Sequence, residues 1–180
     1  MLSENEVMKE LLALEEKYQD LEKLPGARSV YLAHSWWTET QIDATLATYE
    51  ALLQNPTIAH IHVPLLHQYK GLVFVEGGEF EPDFEWATMT YKADIRAINN
   101  ADLVVATYPA DAPDMGGAIE IGYAVGTNKP VVIGYYGDIN ENPVNLMVSF
   151  SADNYVYNPD EFESFNFLDI ASRAYEAKII

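Results

Sequence analysis

The chain has 180 residues, 49% of them hydrophobic and 21% charged, which fits one soluble domain with a sizeable core. Its 28 acidic residues outnumber 10 Lys and Arg, giving a net charge of −18 that repels phosphate backbones and argues against nucleic-acid binding. It has no cysteine, so disulfides and thiolate chemistry are excluded, and with no membrane-length apolar run and no signal-peptide pattern a cytoplasmic location is expected.

Taken in order, residues Ser3 to Leu24 read as a helix whose stripe Val7, Leu11, Leu14, Tyr18 and Leu21 docks on the domain or on a neighbouring subunit. Pro25-Gly26 ends it and marks the one internal boundary, separating an extension over residues 1–25 from an α/β domain over 26–180. Ser29 to Ala33 reads as a first core strand, followed by His34-Ser-Trp-Trp-Thr-Glu-Thr40, where a dinucleotide fold would need a glycine-rich turn. Thr38 or Thr40 caps a helix that buries Ile42, Leu46, Tyr49 and Leu53 and stops at Asn55-Pro56. Thr57 to Val63 is a second strand.

Pro64 to Pro82 lacks periodicity and contains His67-Gln-Tyr-Lys-Gly71 and Glu76-Gly-Gly-Glu79; a loop this long in a compact domain is often functional. Asp83 to Ile98 reads as a helix with Trp86, Thr90 and Asp94 on one face. That stripe could line a site, although the pattern by itself favours a helix buried by Trp86 with Asp94 in solvent. Asp102 to Thr107 is a third strand, Lys129 to Tyr135 a fourth and Asn154 to Tyr157 a short fifth. Gly137 to Asn142 is a polar turn, Pro143 to Phe150 a short helix, and Phe165 to Ala177 a closing helix. Strands alternating with helices predict a single-domain, Rossmann-like, flavodoxin-like doubly wound sheet of about five mostly parallel strands.

Between the third and fourth strands, the loop after Tyr108 stops at Asp114, a good N-cap, and helical periodicity follows through Gly126. Asp114 then sits at a helix mouth with Glu120 one to two turns in, beside the sheet's carboxyl edge where open α/β sheets bind ligands. Gly116, Gly117 and Gly122 clear side chains from around the Glu120 carboxylate, and the helix dipole is expected to hold it ionised, as a nucleophile requires. The same residues also read as ordinary capping. His60 and His62, two apart on a strand, face one side of the sheet and are read as ordinary strand histidines rather than metal ligands. Ser35 beside His34 is not a nucleophile arrangement. No Walker-type phosphate loop occurs, and no cofactor or metal is expected.

Several segments together resemble the nucleoside 2-deoxyribosyltransferase family: Val30-Tyr31-Leu32 with Trp36-Trp37; Val63-Pro64-Leu65 with Gln68-Tyr69-Lys70-Gly71; Trp86-Ala87-Thr88 with Thr90-Tyr91 and Asp94; Asp114 with Glu120-Ile-Gly-Tyr-Ala124; and Asn145-Leu146-Met147. They run in the family's order over roughly residues 29 to 178, and the Gln-Tyr-Lys-Gly piece resembles the branch accepting purines and pyrimidines. The resemblance implies transfer of a 2-deoxyribosyl group between bases, in nucleoside salvage, through a covalent deoxyribosyl-glutamate. It assigns Glu120 as nucleophile, Tyr31 as the hydroxyl holding it, and Asp94 and Asp114 as acids managing the base's protons. Gln68 matches a base contact, and Trp36 and Trp86 are expected at the substrate.

Asn145 and Met147 match residues contributed by a neighbouring subunit, so a homo-oligomer built from dimers, up to a hexamer, is expected. Expected partners are deoxyribonucleosides and free nucleobases, with no nucleic acid and no membrane. Family members commonly end in a tyrosine reaching a neighbour's site, whereas this chain ends Lys178-Ile-Ile180. Either Tyr175 or the Ile180 carboxylate takes over that role, or no group does. His34 stands where small residues often sit. Three other readings remain open: a nucleoside hydrolase on the same fold, a non-catalytic nucleoside-binding module, and an assembly element built on the N-terminal helix.

Overall fold

The computed structural model describes residues 3–71, 82–138 and 140–180. The Glu76-Gly-Gly-Glu79 part of the long central segment, and Ile139 of the expected 137–142 turn, lie outside these residues.

Helix α1 (Glu4–Tyr18) opens with a capping box at Ser3 and Glu6 and packs against α2 (Glu39–Gln54). It ends six residues before the expected Leu24, because the chain turns out to run beside the end of α2. There the Leu24 N–H donates to the Pro56 carbonyl, and the Lys23 ammonium donates to the carbonyls of Leu53 and Asn55. Leu21, expected in the buried stripe, is exposed. Val7 and Leu11 are fully buried in the cluster that also holds Tyr49 and Leu52, so α1 docks on the body of the chain.

Strands β1 (Arg28–Ala33), β2 (Ile58–His62), β3 (Leu103–Pro109), β4 (Val131–Tyr136) and β5 (Asn154–Val156) pair in the order β2-β1-β3-β4-β5, with every pairing parallel. Alternate residues feed two cores, as a strand's period of two requires. Val30, Leu32, Val105 and Val132 pack towards α1, α2 and the short α6 (Glu161–Ser164). Tyr31, Ala33, Val104, Ala106 and Ile133 pack towards α3 (Phe84–Asn100) and α4 (Met115–Gly126). The chain reverses direction across the sheet between β1 and β3, which makes their carboxyl ends the position for a ligand.

One expected element is absent. Residues 165–177 form no helix, because their backbone groups bond to distant partners instead of to one another. Asn55 donates to the carbonyls of Phe162 and Phe165, the Arg173 N–H donates to the Asp153 carbonyl, Asn154 donates to the Ala171 carbonyl, and the Glu176 N–H donates to the Tyr157 hydroxyl. Phe165 and Phe167 pack on Phe162, holding this segment against the sheet. The expected helix at Pro143–Phe150 shrinks to α5 (Leu146–Ser149), capped by Asn145. No helix among the described residues is long and apolar enough to cross a membrane.

Candidate active site

Two capped helices and one buried strand bring the site together. Asp114 takes extended backbone angles at the start of α4, and its carboxylate accepts from the Gly117 N–H at 2.8 Å. A side chain at Gly116 would meet the Asp114 carboxylate at 2.8 Å, so that carboxylate would have to shift from its capping position. Glu120 follows just under two turns on and points towards β1, where the Tyr31 hydroxyl donates to its Oε1 at 2.6 Å. Tyr31 is fully buried at the centre of β1, and burial with the nearby carboxylates raises its pKa, so it stays a fixed proton donor.

Burial pushes the Glu120 carboxyl up from its ordinary 4.5 to about 8, with the Tyr31 bond opposing and the charges of Asp94 and Asp114 adding. The expectation that the helix dipole keeps this group ionised is therefore overturned. A helix terminus contributes about 0.3–1 kcal/mol at an exposed position, while a single pKa step corresponds to about 1.4 kcal/mol. Desolvation wins.

Asp94, three turns into α3, is also drawn in. It is half-buried, and burial raises its carboxyl from 3.8 to about 6, with His67 opposing. The solvent-facing reading of Asp94 is corrected by this placement. On the same stripe Thr90 is buried and accepts from the Tyr69 N–H at 3.3 Å, while the Trp86 indole N–H donates to the Gly71 carbonyl at 2.8 Å. These two bonds tie the segment carrying Gln68 to α3. The Gln68 Oε1 is buried without a hydrogen-bond partner among the described residues, an acceptor suited to an N–H of a base.

The remaining expected residues lie elsewhere. Trp36 packs towards α2 and against the rings of His34 and Trp37. His34 is buried, its Nδ1 bonds the Leu32 carbonyl at 2.9 Å, and burial pushes its pKa down to about 4. Asn145 and Met147 line a cavity of about 450 Å³ with Asp114, Ala118, Ile121 and Gly122. Tyr175 is buried among Tyr135 and Tyr155, and its hydroxyl donates to the Lys178 carbonyl, which removes it as a substitute for a terminal tyrosine. The Ile180 end runs beside Val144 to Leu146, next to Asn145.

One residue set aside in the sequence, His62, proves close to the centre. His62 stacks on the Tyr31 ring and on the His67 ring, and it shares a groove with His60 along α3. Register supplies the signal that spacing lacks, because Tyr31 and His62 are direct partners on neighbouring strands.

The arrangement can present a carboxylate, held by a phenol, to an electrophilic carbon, with further carboxyls able to give a proton. A family model described as nucleoside 2-deoxyribosyltransferase matches residues 30–149. A nucleoside deoxyribosyltransferase of Lactobacillus leichmannii is 35% identical over 142 residues, covering 78% of this chain and 90% of that protein. One from Limosilactobacillus fermentum is 33% identical over 147 residues, covering 77% and 85%. A solved 2-deoxyribosyltransferase of Bacillus psychrosaccharolyticus superposes with a TM-score of 0.63 at 26% identity, over 82% of this chain and 99% of that one.

Proposed function

The chain belongs to the nucleoside 2-deoxyribosyltransferase family, and on that premise we propose that it moves a 2-deoxyribosyl group between purine and pyrimidine bases with Glu120 as nucleophile. The observation that carries the assignment is the 2.6 Å bond from Tyr31 to Glu120, within electrostatic reach of Asp94 and Asp114.

In the first half-reaction a Glu120 oxygen bonds to C1′ as the C1′–N bond breaks. The electron pair of that bond stays on the base nitrogen, and Asp94 or Asp114 supplies a proton to the base. Positive charge that builds on the sugar is met by the carboxylate before it is captured. In the second half-reaction a ring nitrogen of the incoming base attacks C1′, the ester breaks, and the acid recovers a proton. Two inversions retain the anomeric configuration. Gln68 reads the base edge, and the strongly negative surface suits neutral nucleosides.

The exposed apolar side chains of Met115, Ile119, Met147 and Phe150 on α4 and around α5 form a face suited to a second copy, which would bring the partner's α5 region towards Asp114. That supports a homo-oligomer with shared sites.

Incubating thymidine with adenine tests the reading. Deoxyadenosine should form faster than free deoxyribose, and Glu120→Ala should abolish both. Faster release of deoxyribose would make the chain a hydrolase. Turnover unchanged in Glu120→Ala would remove Glu120 from the chemistry.

A further inference from the structure

The nucleophile's grip depends on where one phenol oxygen sits. That oxygen lies on the ring's own axis, so spinning the Tyr31 ring leaves it in place. What displaces it is a sideways swing of the whole ring about the Cα–Cβ bond. His62 stands in the path of that swing. Its ring lies nearly parallel to the Tyr31 ring, with centroids 5.6 Å apart and planes 13° apart. His67 in turn stacks on His62 at 4.2 Å and 27°, and the His67 Nδ1–H donates to the Val63 carbonyl at 2.8 Å, which anchors the His67 ring.

Pairing of Tyr31 with His62 across β1 and β2 puts both side chains on one face of the sheet. Burial pushes His62 down to about 4, with His67, His60 and His34 adding, so the ring is neutral and does not compete for the Glu120 charge. Its Nε2 has no partner among the described residues, and it meets Tyr31 and His67 through its ring faces.

We propose that His62 is a positioning residue for the nucleophile: stacked with both the Tyr31 and the His67 rings, it fixes the phenol that holds Glu120. This rests on the assignment of Glu120 above. It acts through Tyr31 and touches no reacting atom.

The test compares His62→Leu, which fills similar space without a flat ring, with His62→Phe, which keeps the ring faces. In the thymidine–adenine exchange His62→Leu should lower kcat about tenfold or more with KM little changed, the usual penalty for a loosened catalytic group. His62→Phe should restore kcat to within about threefold of the parent, because stacking is retained. In a Tyr31→Phe background, where there is no hydroxyl to place, His62→Leu should cost less than about twofold. Equal kcat for Leu and Phe variants, or losses that multiply in the double variant, would overturn the proposal, as would a poorly folded His62→Phe. Mass spectrometry of quenched His62→Leu separates the two readings: sugar found on Glu120 with parental kcat sinks the positioning role alone, and sugar found elsewhere sinks the nucleophile.

Discussion

The carboxyl proposed as nucleophile sits where burial favours its acid form. Burial raises Glu120 to about 8, with the charges of Asp94 and Asp114 adding, and burial raises Asp94 to about 6. Between those values the group holds one proton and one charge, which is what base departure and attack require together. The rate should rise with pH as Glu120 ionises and fall as the last acid proton is removed, so kcat/KM is expected to be bell-shaped with its maximum near pH 7. A flat profile from pH 5 to 9 would contradict this.

Stability carries the same signature. A carboxyl raised on folding stabilises the protein relative to its unfolded chain fully below about 4.5 and loses that contribution as pH climbs through about 8. Glu120→Gln, which cannot ionise, should therefore gain Tm over the parent progressively across that window, read by calorimetry. A gap independent of pH would show that burial is not the cause. Gly116→Ala pushes a methyl into the Asp114 carboxylate, and losing that cap should cost about 1 kcal/mol along with much of the activity. At this scale the sequence showed the cap and its glycines, while the buried state of Asp94 was hidden because helical spacing says nothing about what lies opposite.

Elements were legible where their own side chains decide them. β3 and β4 are short apolar runs covered on both faces, and Thr38, Asp83 and Asp114 each cap the helix they precede. The end of the chain was not legible, since Asn55, over a hundred residues away, takes the carbonyls that a helix would use. Asn55→Ala should leave those carbonyls and the Thr57 N–H unpaired and destabilise the fold by about 1–3 kcal/mol or more, measured by urea unfolding. Leu11→Ala should cost about 2–5 kcal/mol with little change in kcat well below Tm, because α1 shares the core and lies on the face of the sheet away from Glu120.

At the scale of the molecule, a −18 chain facing neutral substrates needs no cationic patch, and its exposed apolar side chains include Met115, Ile119, Met147 and Phe150 on α4 and around α5. Phe150→Asp with Met147→Asp should reduce the mass in solution by light scattering and lower activity if that face joins copies. An unchanged mass would place the interface elsewhere. The doubly wound sheet could be read from alternating strands and helices, but the reaction could not: it rested on five short segments standing in a family's order, and folding brings their Tyr31 and Glu120 into contact.

The most direct measurement is mass spectrometry of enzyme quenched during turnover with a deoxyribonucleoside, followed by peptide mapping. A 2-deoxyribosyl adduct on the peptide containing Glu120, absent from Glu120→Ala, is the predicted result. An adduct on any other residue, or steady turnover with none under conditions that preserve a sugar ester, would contradict it.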